Sequence, residues 1–284
     1  MLIGAHVSAA GGANKAIVRA EEIGAECFQI FASSPRMWSA KPVADAVVDK
    51  YAAEMKRTMM GPTVLHGKYL VALGSADPEL LAKSETALQA DIAAANKLSA
   101  LGVIFHPASH RGQGFEAIID QFATSVRKVL DNEPGDSLMM LETSAGAGDH
   151  IGSSFAELGT LIKAIGNDRV AVCLDTQHVF AAGYNIAVAD TLNAAIDEFD
   201  KEIGIGLLKA VHANDSMREL GSSVDRHENI GDGLIGTAGF TTLMSHEAFK
   251  RVPFYLEVPG TGKSGPDKPN LDRLKAIRSQ VGAG

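Results

Sequence analysis

The chain has 284 residues, 46% of them apolar and 21% charged, with a formal net charge of −8. That balance excludes a disordered chain, and the absence of any run of 18 uncharged apolar residues excludes a membrane-spanning helix. The acidic charge also argues against a nucleic-acid partner held by a broad basic face, an objection that any DNA-binding reading must meet.

From the N-terminus onward, short apolar runs recur: LIGAHV, ECFQIF, PTVLH, GVIFH, SLMMLE, VAVCLD, LLKAVH and PFYLE. The opening segment MLIGAHVSAAGG has no basic stretch followed by a long apolar one, so no leader is expected and the cytoplasm is the expected compartment. Cys27 and Cys173 each sit inside an apolar run, where a thiol packs as a small hydrophobe, which fits a reducing compartment. Residues 78–101 are the clearest helix, with Leu81, Ala82, Leu88, Ile92, Ala95 and Leu98 on one side at a period of about 3.6 residues. Asp77 before Pro78 places proline at the first helical position, and Ser154 with Glu157 forms an S-x-x-E capping box. Continuous apolar strands alternating with helices imply a parallel α/β sheet buried on both faces. Eight such units predict a (β/α)8 TIM barrel, one domain over residues 1–284, with its site at the C-terminal face of the strands. The longest non-periodic stretch, 213–237 after the seventh run, is predicted to cover that site.

Six consecutive runs end in a metal-ligating type: His66, His106, Glu142, Asp175, His212 and Glu257. In a closed parallel barrel these ends converge, however far apart they lie in sequence. His178 in D-T-Q-H, and Asp225 and His227 in D-R-H, bring the candidates to nine. A single such residue more often caps a helix or bonds to backbone; six in succession would meet repeated desolvation without benefit. Imidazole and carboxylate without thiolate suit zinc, manganese or iron, and nine ligands exceed what one ion takes. A multi-metal hydrolase is the reading that follows. His6, at the end of the first run, is either structural or a donor toward a phosphate or a metal-bound water, and His110, His150 and His246 read as supporting or surface groups. No G-x-G-x-x-G follows a strand, so no nucleotide cofactor is expected.

The motifs IGAHVSAAGG, PRMW, HGKYL, FHPASH, LETSAG, CLDTQH with FAAGY, VHAND, VDRHENIGDG and YLE span nearly the whole chain. In them the chain resembles the endonuclease IV family, zinc-dependent apurinic/apyrimidinic endonucleases of base-excision repair on xylose-isomerase-like barrels. The resemblance implies three zinc ions: His66, His106 and Glu142 at one; Glu142, Asp175, His212 and Glu257 at a second; His178, Asp225 and His227 at a third. It implies Glu142 and Glu257 as the catalytic carboxylates, one bridging two ions and the other positioning or deprotonating the attacking water. Arg36, Tyr69 and Leu70 match the positions that such enzymes insert into the duplex; read alone, Arg36 is a solvated charge and Tyr69 and Leu70 pack on the next helix. The sequence departs from the family at Met37, Thr143 and Gln177, none of them a ligand position.

The implied activity is hydrolysis of the phosphodiester 5′ to an abasic site in duplex DNA, leaving a 3′-hydroxyl and a 5′-deoxyribose phosphate, together with removal of 3′-blocking groups, by a monomer. Three zinc ions would carry +6 against −4 from four carboxylates, and would move the formal total from −8 to −2. Arg36, Lys41, Lys68 and Arg111 are the basic loop residues expected to meet phosphates. The alternatives are a metal-dependent sugar isomerase or epimerase on a xylose-isomerase-like barrel, and a lesion-binding protein without hydrolysis. The first has no obvious use for His66, His106, His178, Asp225 and His227 together, and the full ligand set speaks against the second.

Overall fold

The computed structural model describes residues 1–282. Its centre is a closed barrel of eight parallel strands: β1 Ile3–His6, β2 Phe28–Phe31, β3 Thr63–His66, β4 Gly102–Phe105, β5 Leu138–Glu142, β6 Val170–Asp175, β7 Leu208–His212 and, after a short pair β8 Asp215–Ser216 and β9 His227–Glu228, β10 Phe254–Leu256. Around it run α1 Ala13–Glu22, α2 Asp45–Thr58, α3 Pro78–Lys97, α4 Phe115–Asn132, α5 Phe155–Ile165, α6 Thr176–Ala181, α7 Ala189–Glu202, α8 Gly236–Ser245 and α9 Lys268–Gln280. All eight apolar runs become barrel strands, as their spacing predicts.

Side chains alternate along a strand, so each strand serves two layers. Outward residues such as Leu65, Val103, Leu141 and Val172 pack under the helices. Inward residues Cys27, Val64, Ile104, Met140, Ala171, Cys173, Ala210 and Tyr255 fill the barrel as a separate apolar cluster. Both cysteines are buried and unbridged there.

Local chemistry sets the helix ends. Asp77 caps α3 by accepting from the amides of Glu79 and Leu80, with Pro78 in the first turn. α3 ends at Lys97, four residues short of the predicted bound, and its buried face carries Ser84, Ala87 and Asp91 beside Leu88, Ile92 and Ala95, while Ala82 is exposed. Ser154 caps α5 through the Glu157 amide, but the Glu157 carboxylate reaches back to the amides of Gly152 and Ser153 rather than closing the expected box. The barrel seam is tied by Glu26, which accepts from the Ile3 amide and holds the Arg278 guanidinium of α9 in two bonds of 2.6 and 2.9 Å.

The stretch 213–237 is not wholly irregular. β8 and β9 pair antiparallel within it, and the buried Asp215 carboxylate accepts from the amides of Ser216, Gly231, Gly233, Ile235 and Gly236. Five amide donors converging on one carboxylate offset the cost of its burial and fix the loop's second half. None of the helices among the described residues is long and apolar enough to cross a membrane.

Strand β1 runs so close to its neighbour that a Cβ on Gly4 would overlap the Cys27 carbonyl and crowd its thiol. Gly4→Ala is therefore expected to lose about 3 kcal/mol or more of stability, because backbone cannot yield as a side chain does. Denaturant unfolding checks this, and an unchanged midpoint would show that the seam has slack.

Candidate metal centre

In each strand that ends in a candidate, that residue stands two positions beyond an inward apolar residue: His66 after Val64, His106 after Ile104, Glu142 after Met140, Asp175 after Cys173, His212 after Ala210 and Glu257 after Tyr255. The period of two makes them the next layer up the barrel interior. His106 and Glu257 lie one residue past their strands; the other four close theirs.

The ligand-type atoms gather in three groups, each with its atoms within 4.8 Å of one another: His66, His106 and Glu142; Glu142, Asp175, His212 and Glu257; and Asp175, His178 and His227. Glu142 is fully buried between the first two, its Oε2 lying 3.2 Å from His66 and 3.6 Å from His106 and its Oε1 2.8 Å from His212. The third group includes Asp175, which the resemblance does not place there. Asp225, half exposed, approaches the same histidines, at 3.4 Å from Nε2 of both His178 and His227.

Three of the histidines share one arrangement. His66 Nδ1 donates to the Gly67 carbonyl at 2.8 Å, and His178 Nδ1 to the Thr143 carbonyl at 2.7 Å. His227 Nδ1 donates to the Glu257 carbonyl at 3.3 Å. In each, Nε2 is left facing carboxylates, and those of His178 and His227 are buried without a hydrogen-bond partner. An imidazole whose Nδ1–H is spent on a carbonyl, with its second nitrogen aimed among carboxylates and able to exchange a proton for a cation, is arranged as a metal ligand. The residues present thus fit divalent cations of the zinc type.

The same crowding sets the charge states. Burial opposes ionisation of Glu142 and Glu257, but the histidines around them hold both carboxyls well below the ordinary range. Burial likewise opposes a charged His178, yet Asp175, Asp225 and Glu142 raise it to about 10. In the metal-free protein, protons on imidazole balance the carboxylates, and a cation would take their place.

Two residues that the sequence did not single out, Gln29 and Asn214, hold this layer in place together with His6. Gln29, fully buried on β2, donates from Nε2 to Glu257 Oε1 at 2.6 Å and accepts at Oε1 from His212 Nε2 at 2.8 Å. His6 Nδ1 lies 3.2 Å from the same Glu257 oxygen and 2.9 Å from Gln29 Nε2. Asn214 donates to Asp175 Oδ2 and accepts from the Glu257 amide. Gln29 stands two residues after the inward Cys27, so its register was readable, but its type is not a ligand and it passed as part of an apolar run. Among the positions that depart from the family, Thr143 accepts from the Asp175 amide at its hydroxyl, and Gln177 donates to the Val224 carbonyl, anchoring the chain one residue before Asp225.

Above the ligand layer, Tyr69 is 57% exposed and stands edge-on to Phe31 and His66 rather than packed on the next helix. Tyr69 and Leu70 line a cleft of about 630 Å³ that reaches His66, His106, His178 and Glu257. Tyr69 also borders a second cleft of about 730 Å³ on the His6 and Ser33 side. Arg36 and Met37 are exposed on the loop after β2. Of the basic loop residues expected to meet phosphates, Arg36, Lys41 and Arg111 are exposed, but Lys68 is not: it is 3% exposed, turned inward to donate to Ser33 Oγ, with Nζ 3.9 Å from Asp91 on α3. Pairing with a buried carboxylate takes it out of reach of a backbone phosphate.

Residues 17–280 match the model of the xylose isomerase-like TIM barrel family. The chain is 39% identical to a probable endonuclease 4 of Halothermothrix orenii over 94% of this chain and 96% of that protein. It superposes on the crystal structure of endonuclease IV from Thermus thermophilus with a TM-score of 0.87 and 32% identity, over 99% and 100% of the two chains. A D-tagatose 3-epimerase-like protein shares the fold alone, at a TM-score of 0.72 and 16% identity, over 99% and 97% of the two chains.

Burial raises the Asp91 carboxyl to about 6 although Lys68 pulls the other way. A carboxyl whose folded value lies above its unfolded one favours the folded state only while protonated, so its contribution declines as pH rises from about 4 to about 6 and is flat above. Replacing it in Asp91→Asn should change the stability difference between wild type and variant by up to about 3 kcal/mol across that window. Urea unfolding of chelator-treated protein at stepped pH measures it; a difference that stays constant from pH 4 to 7 contradicts the assignment.

Proposed function

The chain belongs to the endonuclease IV family, and on that premise we propose that it hydrolyses the phosphodiester 5′ to abasic sites in duplex DNA and removes 3′-blocking groups, in base-excision repair. The observation that carries the reading is the layer of imidazoles with one nitrogen each directed among carboxylates at the strand ends, opening into clefts bordered by Tyr69. His66, His106 and Glu142 would hold one zinc ion, Glu142, Asp175, His212 and Glu257 a second, and His178 and His227 with Asp225 a third. Bound zinc would supply positive charge for the phosphoryl oxygens and bring the pKa of water to roughly 7.

The chain's own groups have separable tasks. Glu142, ionised and reaching the histidines of both neighbouring groups, would be shared by the two cations that those groups would hold. Glu257 is anchored through Oε1 and its amide, which leaves Oε2 as the atom that would hold the second zinc ion and orient the attacking water beside it. Tyr69 and Leu70, with Arg36 on the facing loop, would fill the gap in the duplex beside the lesion, where a nucleotide without its base costs least to unstack. The acidic total is met locally. Several helix-surface cations, among them Arg57, Lys83, Lys128 and Lys268, are paired with carboxylates, and Arg36, Lys41, Arg111 and Lys263, in loops at the strand ends, have no ion-pair partner among the described residues. Free cations at one face attract phosphate even when the whole chain is negative. The enzyme would act as a monomer in the cytoplasm, on double-stranded DNA and without a nucleotide cofactor.

Metal analysis of protein reconstituted with zinc is expected to find three equivalents, and two in the His178→Ala/His227→Ala double variant. An undiminished count in that variant would remove the third site. On a duplex carrying one abasic site, chelator-sensitive cleavage with a 3′-hydroxyl product is expected. Glu257→Gln should bind that duplex within a few-fold of wild type while cutting about 100-fold or more slowly. Full activity in this variant would exclude the role given to Glu257, and intact DNA under all conditions would exclude the endonuclease reading.

A further inference from the structure

We propose that Gln29 is a positioning residue that fixes the ring tautomer of His212 and the orientation of Glu257 at once, and thereby sets the zinc affinity of the group formed by Glu142, Asp175, His212 and Glu257. The inference rests on the metal-centre reading and adds to it a residue of a type that does not bind zinc.

The geometry leaves little freedom. Gln29 is fully buried and its amide spans two ligands, with Glu257 Oε1 2.6 Å from one end and His212 Nε2 2.8 Å from the other. Turning the amide over would set its carbonyl oxygen 2.6 Å from a carboxylate oxygen, two acceptors with no proton between them. The NH2 group must therefore face Glu257, and the carbonyl oxygen must face His212. A carbonyl can only accept, so the proton of the His212 ring sits on Nε2. That leaves Nδ1 as the nitrogen that faces Glu142 Oε1 at 2.8 Å, Glu257 Oε2 at 3.4 Å and Asp175 Oδ2 at 3.8 Å.

The second effect is on Glu257. Its Oε1 is occupied by Gln29 and approached by His6, so Oε2 alone is turned to the centre. One side chain thus settles which nitrogen of a histidine and which oxygen of a carboxylate are offered to the same ion. Three of the other histidines, His66, His178 and His227, obtain their tautomer from backbone carbonyls, at Gly67, Thr143 and Glu257. For His212 the partner is the side-chain amide of Gln29, supplied by β2, a strand that ends in no candidate ligand.

The test is Gln29→Met, of similar length and without polar atoms, compared with wild type by two measurements that do not involve DNA. In competition with a chromogenic chelator, the variant should lose 10- to 100-fold in affinity for one zinc equivalent, the range typical for groups that orient ligands, and keep the others. In 15N spectra of zinc-loaded protein, the wild type should show His212 protonated at Nε2 and metal-bound at Nδ1, and the variant a mixture of tautomers. Should Gln29→Met not fold, Gln29→Glu takes its place: it keeps the acceptor for His212 but sets a carboxylate against Glu257. It is expected to retain the Nε2 proton signal while binding that equivalent more weakly. Wild-type affinity for every equivalent in whichever variant folds overturns the role of Gln29. A wild type that binds no zinc at His212 overturns instead the metal-centre reading beneath it.

Discussion

Three carboxylates brought together inside the barrel, Glu142 and Asp175 fully buried and Glu257 mostly so, are the constraint on which the rest of this structure depends. Like charges at such distances do not stay ionised unless cations or protons balance them. Six histidines pressed against them, a carbonyl behind three of the rings and an amide behind His212 all serve that balance. The apolar layer below, from Cys27 round to Tyr255, closes the floor, so solvent cannot relieve the charge from beneath.

Much of this was legible in the sequence because two periods coincide. The two-residue period of a strand and the convergence of parallel strands at one end make the residue two past an inward apolar position a member of one ring. His66, His106, Glu142, Asp175, His212 and Glu257 could be read from their placement alone, since they are costly residue types at the ends of apolar runs. Gln29 obeys the same register and was not seen, because an amide in a strand carries no chemical signal until its partners are known. Asp215 was missed for a related reason: five backbone amides in a loop define its role, and backbone donors leave no mark in a sequence.

Lys68 shows the reverse error. Placed between a ligand histidine and an exposed tyrosine, it reads as a cation for phosphate, and only the packing of α3 against the loop reveals the carboxylate that draws it inward. Whether a loop lysine points to solvent depends on a partner from another element, here twenty-three positions away in sequence, and strand periodicity says nothing about it. The departures Thr143 and Gln177 likewise have work to do in this chain: one caps the Asp175 amide, the other tethers the loop that carries Asp225.

In the closed barrel β10 lies between β1 and β7, and it ends beside Glu257. The cluster of four ligands therefore joins residues from β5, β6 and β7 to one delivered by the strand that closes the ring. During synthesis the first three emerge in order, but the fourth arrives only with the final strand, and its companion Gln29 has by then been waiting since the second. A partly built barrel could hold a cation by three donors at most in that cluster. The four-residue group is therefore complete only where the ring is closed, so the geometry of the site depends on closure rather than on any one strand.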